Sequence, residues 1–284
     1  MSVSNAQTAR YGIIGYPLEH SVSPILHNRA FRDYGMNARY EKVPIAPETF
    51  EAHIARMKRE DWRGFNVTIP FKERILPLLD WVEETAQAIG AVNTVKCEGS
   101  RWLGFNTDWL GFLRPVASDL SDFKRCLILG AGGAARAVAF ALVKKGAADV
   151  LLIANRTKAR AEKLARDLRL HGTKTIEATD LETLKNNPAK NFDLIVNTTS
   201  LGMNDPGAPL IIDPEPLAHA QTLVYDLIYK PPQTALLLRA KKLGLRTLNG
   251  YPMLIYQAEE AFKIWTGKPY LSATVQELLQ LGGK

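Results

Sequence analysis

The sequence predicts an α/β fold in two domains, and three observations carry that expectation. Short apolar runs of strand length alternate with helical patterns along most of the chain. A glycine turn, GAGGAAR at 130–136, stands between one such run and a long Ala-rich helical stretch. The 284 residues are enough for two modest cores at roughly 100–200 residues per domain.

The first half reads as strands alternating with helices. Residues 9–14 are strand-like and run into the turn Gly15, Tyr16, Pro17. Ser23 followed by Pro24 reads as a helix start, with Ser as N-cap and Pro at the first helical position. That helix covers 25–34 and stops at Gly35. A second strand is expected over 39–44, a helix over 49–59 and a third strand over 64–69, ended by Pro70. Helices follow, the second opened by Pro77, and 91–96 and 100–105 read as paired strands.

The character changes at Lys124. RCLIL at 125–129 is a continuous apolar run, the pattern of a strand covered on both faces. The glycine turn and a helix to Lys145 follow, then a strand over 149–154 and a helix over 159–168. Two more strands are expected over 192–197 and 223–227, separated by polar, Pro-rich loops. Such alternation argues for a parallel sheet with helices on both faces. The last segment, 250–265, reads as a helix able to pack back on the first domain.

GAGGAAR fits the dinucleotide fingerprint G-x-G-x-x-(G/A) through Gly130, Gly132 and Ala135. Glycine lets the chain turn tightly and approach a pyrophosphate, and the helix N-terminus offers free amides and partial positive charge to it. The second domain is therefore expected to be a Rossmann dinucleotide-binding domain, with Gly130, Ala131, Gly132, Gly133 and Ala134 around the cofactor. The next strand ends in ANRT at 154–157. A cofactor with a free ribose hydroxyl would call for Asp or Glu here. The chain has Asn155 and Arg156, then Thr157, with Arg160 four residues beyond Arg156. A guanidinium binds a phosphate in bidentate fashion and stacks on adenine, whereas a carboxylate would repel it. NADP is expected over NAD.

Composition narrows the function classes. The net charge is +7, but Lys and Arg are scattered. Their densest stretch, 156–166, alternates with Ala, Leu and Glu at helical spacing, which is a basic-faced amphipathic helix and not a nucleic-acid-binding tail. A phosphorylated cofactor explains part of the excess more economically. No apolar run reaches the ~18 residues of a membrane span. The polar start MSVSNAQTAR lacks a signal-peptide core, so the cytoplasm is expected. Cys97 and Cys126 have no metal-ligand spacing and read as inert thiols in a reducing compartment. His20, His27, His53, His171 and His219 are dispersed, so no metal is expected.

Four motifs in the first half remain: HSVSP at 20–24, NVTIPFK at 66–72, GAVNT at 90–94 and GFNTD at 104–108. Each alone is explicable as a cap, a turn or a surface lysine. The second half adds ANRTKARAEKLA, NTTSLGM at 197–203, YDLIY at 225–229 and NGYPMLIYQAEEAF at 249–262. With GAGGAAR, this ordered set resembles the shikimate dehydrogenase family over essentially the whole chain. The resemblance implies a substrate-binding and catalytic domain over 1–110, on which 250–284 packs back, an NADP-binding domain over 111–249, and a cleft between them. It implies NADPH-dependent reduction of 3-dehydroshikimate to shikimate, on the route to chorismate and aromatic amino acids. Ser21 and Ser23 would hydrogen-bond the substrate carboxylate. Asn66, Thr68, Asn93, Tyr229 and Gln257 would line the polyol pocket, and Lys72 and Asp108 would contact the reacting hydroxyl. The cofactor contacts would extend to Thr198, Leu227 and Gly250. A small-molecule substrate is the implied partner, with the chain a monomer or homodimer.

These residue types suit that substrate. A small ring bearing a carboxylate and several hydroxyls needs many neutral donors and acceptors, and such a site rejects analogues that leave its polar groups unpaired. Lys72 is the expected general acid and, in reverse, the base, with Asp108 orienting it and the hydroxyl. His20 is the competing acid–base group, but its place in HSVSP marks it as structural. The C-terminal motif departs from the family pattern at Tyr251, Pro252 and Tyr256, which are expected to stiffen the backbone and add bulk near the nicotinamide and substrate. Two rivals stand beside this reading: a quinate/shikimate dehydrogenase using NAD, and a non-catalytic NADP-binding sensor. Asn155 and Arg156 with Ser21 and Ser23 argue against the first, and retention of Lys72 with Asp108 against the second.

Overall fold

The computed structural model describes residues 7–169, 175–189 and 191–281. They fall into two compact units, Met1–Thr107 with Gln257–Leu278, and Asp108–Tyr256 with Leu279–Lys284.

Along the first unit run β1 (Ala9–Gly15), α1 (Ser23–Asp33), β2 (Ala38–Pro44), α2 (Phe50–Met57), β3 (Trp62–Val67), β4 (Trp81–Val82), α3 (Glu84–Ile89), β5 (Thr94–Glu98) and β6 (Arg101–Phe105). The strands form one mixed sheet in the order β2-β1-β3-β5-β6-β4. β1 pairs in parallel with β2 and β3, while β5 runs antiparallel to both β3 and β6. That arrangement leaves the C-terminal ends of β1, β3 and β6 and the N-terminal end of β5 at one edge. Ile14, Phe50, Phe65, Phe71, Val95 and Trp102 are buried in its core, with the rings of Phe50 and Phe71 stacked at 4.1 Å.

The second unit contains α4 (Asp108–Leu113), β7 (Arg125–Leu129), α5 (Gly133–Lys144), β8 (Val150–Asn155), α6 (Lys158–Arg169), β9 (Thr175–Asp180), α7 (Leu181–Asn186), β10 (Phe192–Asn197), β11 (Ala218–Asp226), α8 (Ala235–Lys242) and β12 (Arg246–Asn249). Its sheet has the order β12-β11-β10-β7-β8-β9, and every pairing is parallel. The order reverses between β7 and β10, the switch point at which doubly wound sheets bind ligands beyond their strand ends. The inner strands β7, β8 and β10 are mostly apolar and buried, as RCLIL and FDLIVN require, and β11 is buried from Thr222 onward. Helix α9 (Tyr251–Thr266) starts in this unit; from Gln257 onward it belongs to the first, together with α10 (Ser272–Leu281) as far as Leu278. There the indole N–H of Trp265 donates to the Val95 carbonyl at 2.9 Å. A Cβ on Gly64 would fall 2.3 Å from that nitrogen, so only glycine admits the ring.

Several expectations are corrected. Ser23 is not the N-cap of α1: Val22 holds that position, Ser23 is the first helical residue and Pro24 the second. The Ser23 N–H donates instead to Ser21 Oγ at 3.4 Å. The helix expected over 49–59 begins as a 3-10 turn, Pro47–Thr49, before α2. The third strand ends at Val67, which leaves Thr68 and Ile69 in the following turn. Pro77 lies inside the 3-10 turn Leu76–Leu78 and opens no α-helix. Strand β4, two residues long, lies where helices were expected, and strands β9 and β12 were not foreseen. Both are sheet edges with mixed, half-exposed sequences, TIEATD and RTLN, which lack the apolar run that reveals an inner strand.

Candidate functional site

In the first unit the four sequence motifs meet at one sheet edge. The Thr68 N–H donates to the Ile14 carbonyl at 2.9 Å and the Tyr16 N–H to the Ile69 carbonyl at 3.0 Å, so the loops after β1 and β3 lie side by side. Gly15 makes this possible, because a Cβ there would fall 2.3 Å from Thr68 Cγ2. The Val92 N–H donates to the Lys72 carbonyl at 2.8 Å and the Val67 N–H to the Asn93 carbonyl at 2.8 Å, which draws in the loop before β5. The Asn93 N–H donates to the Phe105 carbonyl at 3.1 Å, which brings in the end of β6. Ser21, Thr68 and Lys72 are half-buried, while Ser23, Asn66 and Asn93 are buried.

Beneath these groups runs a buried hydrogen-bond chain. The Tyr40 hydroxyl donates to Asn66 Oδ1 at 2.6 Å. Asn66 Nδ2 donates to the Asn93 carbonyl and to Thr94 Oγ1, both at 3.1 Å. Asn66 thereby commits both amide hydrogens inside the protein. Thr94 Oγ1 donates to Asn93 Oδ1 at 3.1 Å, and the Thr107 N–H donates to the same oxygen at 2.7 Å. Asn93 Nδ2 donates to Thr107 Oγ1 at 2.9 Å and to Gln257 Oε1 at 3.3 Å. The chain thus fixes both asparagines and reaches Gln257 across 164 residues of sequence. Asp108 follows Thr107 directly and is buried at the start of α4. His20 is exposed. His27, by contrast, is buried, stacks on Tyr40 at 4.4 Å and pairs through Nδ1 with the Tyr270 hydroxyl at 3.0 Å. Burial pushes its imidazole down to about 3.

In the second unit the glycine turn links β7 to α5. Gly130 has φ +113°, and a Cβ there would fall 2.4 Å from Thr198 Oγ1. That hydroxyl donates to the Leu129 carbonyl at 2.7 Å, so the loop after β10 is tied to the end of β7. Gly132, at the cap of α5, is different: a Cβ there would meet nothing within 4 Å. The space over the first turn of the helix is open, as a cradle for a pyrophosphate must be. Asn155 ends β8 with Nδ2 donating to the Thr157 carbonyl at 2.9 Å, and Arg156, Thr157 and Arg160 are exposed. Arg136 of the same motif is buried and pairs with Asp167 of α6 at 2.6 Å, bracing the helix that follows Arg156. Gly250 approaches Leu227 so closely that a Cβ would fall 1.9 Å from its carbonyl oxygen.

Sequence reasoning did not single out the polar knot at the ends of β10 and β11. Asp226 is fully buried and accepts from Asn197 Nδ2 at 3.0 Å, the Ile228 N–H at 3.0 Å and Thr234 Oγ1 at 2.6 Å. Burial raises its carboxyl above the ordinary aspartate range, and these donors partly offset that. The only signal for it was one acid closing the apolar run TLVYD. Tyr40 and Thr94 were also passed over, because a tyrosine or threonine in a strand reads as ordinary.

The unusual residues of α9 have local partners. Pro252 is the second residue of the helix, where a missing N–H costs nothing. The Tyr251 and Tyr229 rings lie 6.5 Å apart, and Arg114 lies over the Tyr256 ring at 4.4 Å. Among the described residues no group of three or more His, Cys, Asp or Glu could hold a metal, and no helix is long and apolar enough to cross a membrane. His171 lies outside the described residues.

Residues 13–95 match the family model for the shikimate dehydrogenase substrate binding domain. Residues 115–203 match that for shikimate / quinate 5-dehydrogenase, and 250–276 that for the shikimate 5'-dehydrogenase C-terminal domain. The shikimate dehydrogenase (NADP(+)) of Aquifex aeolicus is 45% identical over 272 residues, with 93% of each chain covered. The crystal structure of an Aquifex aeolicus shikimate dehydrogenase superposes with a TM-score of 0.84 at 42% identity, covering 97% of this chain and 99% of that one. The enzyme of Thermus thermophilus, solved with NADP(H) and shikimate, gives a TM-score of 0.81 at 36% identity, covering 96% and 99%.

Proposed function

Because the chain belongs to the shikimate dehydrogenase family, we propose that it catalyses the reversible NADPH-dependent reduction of 3-dehydroshikimate to shikimate. The observation that carries this reading is the buried chain from Tyr40 to Gln257. It gathers neutral donors and acceptors at the sheet end where the Lys72 carbonyl accepts from the Val92 N–H.

NADPH, when bound, supplies the hydride for the ketone carbon. The open turn at Gly132 fits its pyrophosphate, and Arg156 with Arg160 fits its ribose phosphate. No carboxylate occupies 154–160 to oppose that charge. The protein's own part is binding and proton handling. Ser21 and Ser23 take the substrate carboxylate, while Thr68, Asn93, Tyr229 and Gln257 take ring hydroxyls. The substrate oxygen gains negative charge as the ketone is reduced. The Lys72 ammonium gives it a proton, and in oxidation the neutral amine takes one back. Asp108 orients the hydroxyl and Lys72; it is joined by one peptide bond to Thr107, the neighbour of Asn93. The buried free thiols Cys97 and Cys126 fit a reducing compartment, and the cytoplasm is the proposed location.

The test is a reduced-nicotinamide absorbance assay offering shikimate and quinate, each with NADP and with NAD. Rapid turnover of shikimate with NADP alone is expected. Comparable rates with quinate or NAD would move the protein to the broader quinate/shikimate class, and no turnover in any combination would overturn the enzymatic reading.

A further inference from the structure

We infer that Asp226, with Thr234 and Asn197, is a positioning device for the nicotinamide half of the cofactor site. The inference rests on the NADP reading above. In the strand order, β8 lies on one side of β7; it ends at Asn155 and is followed by Arg156, the adenosine end. On the other side lie β10 and β11, where a dinucleotide spanning the switch point places its second half.

At those strand ends, Asn197 and Asp226 stand in register as the last residues of their strands. Each side chain controls the loop that follows. Asn197 Oδ1 accepts from the Thr199 N–H at 3.0 Å and from Thr199 Oγ1 at 2.8 Å, fixing the turn that contains Thr198. Asn197 Nδ2 donates to Asp226 Oδ1 at 3.0 Å, and the Ile228 N–H donates to the same oxygen at 3.0 Å. Leu227 is held between them, its own N–H on the Asn197 carbonyl at 2.9 Å. The Gly250 N–H in turn donates to the Ile228 carbonyl at 3.1 Å. The second carboxylate oxygen accepts from Thr234 Oγ1 at 2.6 Å, and Thr234 caps α8. One buried carboxylate therefore ties Thr198, Leu227 and Gly250 to a single point, and none of these bonds reaches the β8 side.

This geometry predicts a split between the two halves of the cofactor. Thr234→Val keeps shape but removes the donor, and Thr234→Ser restores it. The binding of NADP and of 2',5'-ADP, which carries only the adenosine half, is to be measured for wild type and both variants, together with shikimate KM and melting temperature. Thr234→Val should weaken NADP about five- to tenfold, as expected for a lost bond to a buried charge, with 2',5'-ADP within about twofold of wild type. Thr234→Ser should recover NADP binding. The loss of the helix cap lowers the melting temperature but does not separate the two ligands. Equal weakening of both ligands, or no weakening of either, would overturn the inference. A wild-type protein that binds neither ligand would overturn the cofactor reading and this inference with it, whereas binding of both in wild type isolates the role of Asp226.

Discussion

The phenolic hydroxyl of Tyr40 donates a 2.6 Å hydrogen bond to Oδ1 of Asn66, and both residues are buried. The bond decides which way the Asn66 amide faces. With Oδ1 turned to Tyr40, Nδ2 donates to the Asn93 carbonyl and Thr94 Oγ1, so Asn93 is held in place. Tyr40→Phe leaves that oxygen buried without its donor. The variant should lose about 1–3 kcal/mol in urea unfolding. Its shikimate KM should rise while its NADP KM holds. A variant as stable as wild type would mean that Asn66 finds another donor.

Acid should weaken the first unit through His27. Its folded-state pKa of about 3 lies below the ordinary ~6.5 of an unfolded histidine. The unfolded chain therefore binds the proton first as pH falls. The stability tied to the neutral ring is fully present above about pH 6.5 and is lost progressively down to about pH 3. At pH ~4.5 the loss is on the order of 2–3 kcal/mol. The ring is faced by the aromatic side chains of Tyr40, Trp265 and Tyr270, and by no carboxylate among its ring and hydrogen-bond partners. A His27→Gln variant should show a flatter stability profile between about pH 4 and 6.5; an unchanged slope would place the acid sensitivity elsewhere.

Two glycines of one motif should respond in opposite ways to alanine. Gly130→Ala forces a Cβ onto Thr198 Oγ1 in a left-handed backbone, so it should lower thermal stability even without cofactor. Gly132→Ala meets open space in an extended backbone and should cost the free protein no more than about 1 kcal/mol, the preference for glycine over alanine at an N-cap. It should instead weaken NADP, because the methyl group occupies the ligand's path. Calorimetric melting and a cofactor titration separate the two cases.

Lys72→Ala should reduce turnover by about 10²–10⁴-fold with a modest change in shikimate affinity, as for loss of a general acid. Near-normal turnover in steady-state kinetics would remove Lys72 from the proton-transfer role.

Arg156→Ala should lower the preference for NADP over NAD by about tenfold or more, since each hydrogen bond to a charged group contributes roughly 1.5–3 kcal/mol. The ratio of kcat/KM for the two cofactors reads it directly. An unchanged ratio would assign phosphate recognition to Arg160.

The inner strands of the second unit were legible because burial on both faces demands an unbroken apolar run, and RCLIL has no other comfortable home. The glycine turn was legible because few residue types allow so sharp a path beside a helix N-terminus. Ser23 was misplaced by one position because both Ser-Pro registers satisfy the local rules, and the choice depends on where the Ser21 hydroxyl lies. The edge strands β9 and β12 were invisible because a half-exposed strand needs no distinctive sequence.

By itself, the sequence determined the alternation of strand and helix, the glycine turn, the lack of a carboxylate over 154–160, and the motifs that mark the family. Each of these depends on local backbone freedom, charge or an ordered pattern along the chain. The tertiary structure alone decided that Tyr40 orients Asn66, that Asn93 meets Gln257 from 164 residues away, and that Asp226 gathers three loops. Those relationships depend on which polar groups are left in need of partners once the sheets are buried. That need arises from packing and has no period or spacing in the sequence to announce it.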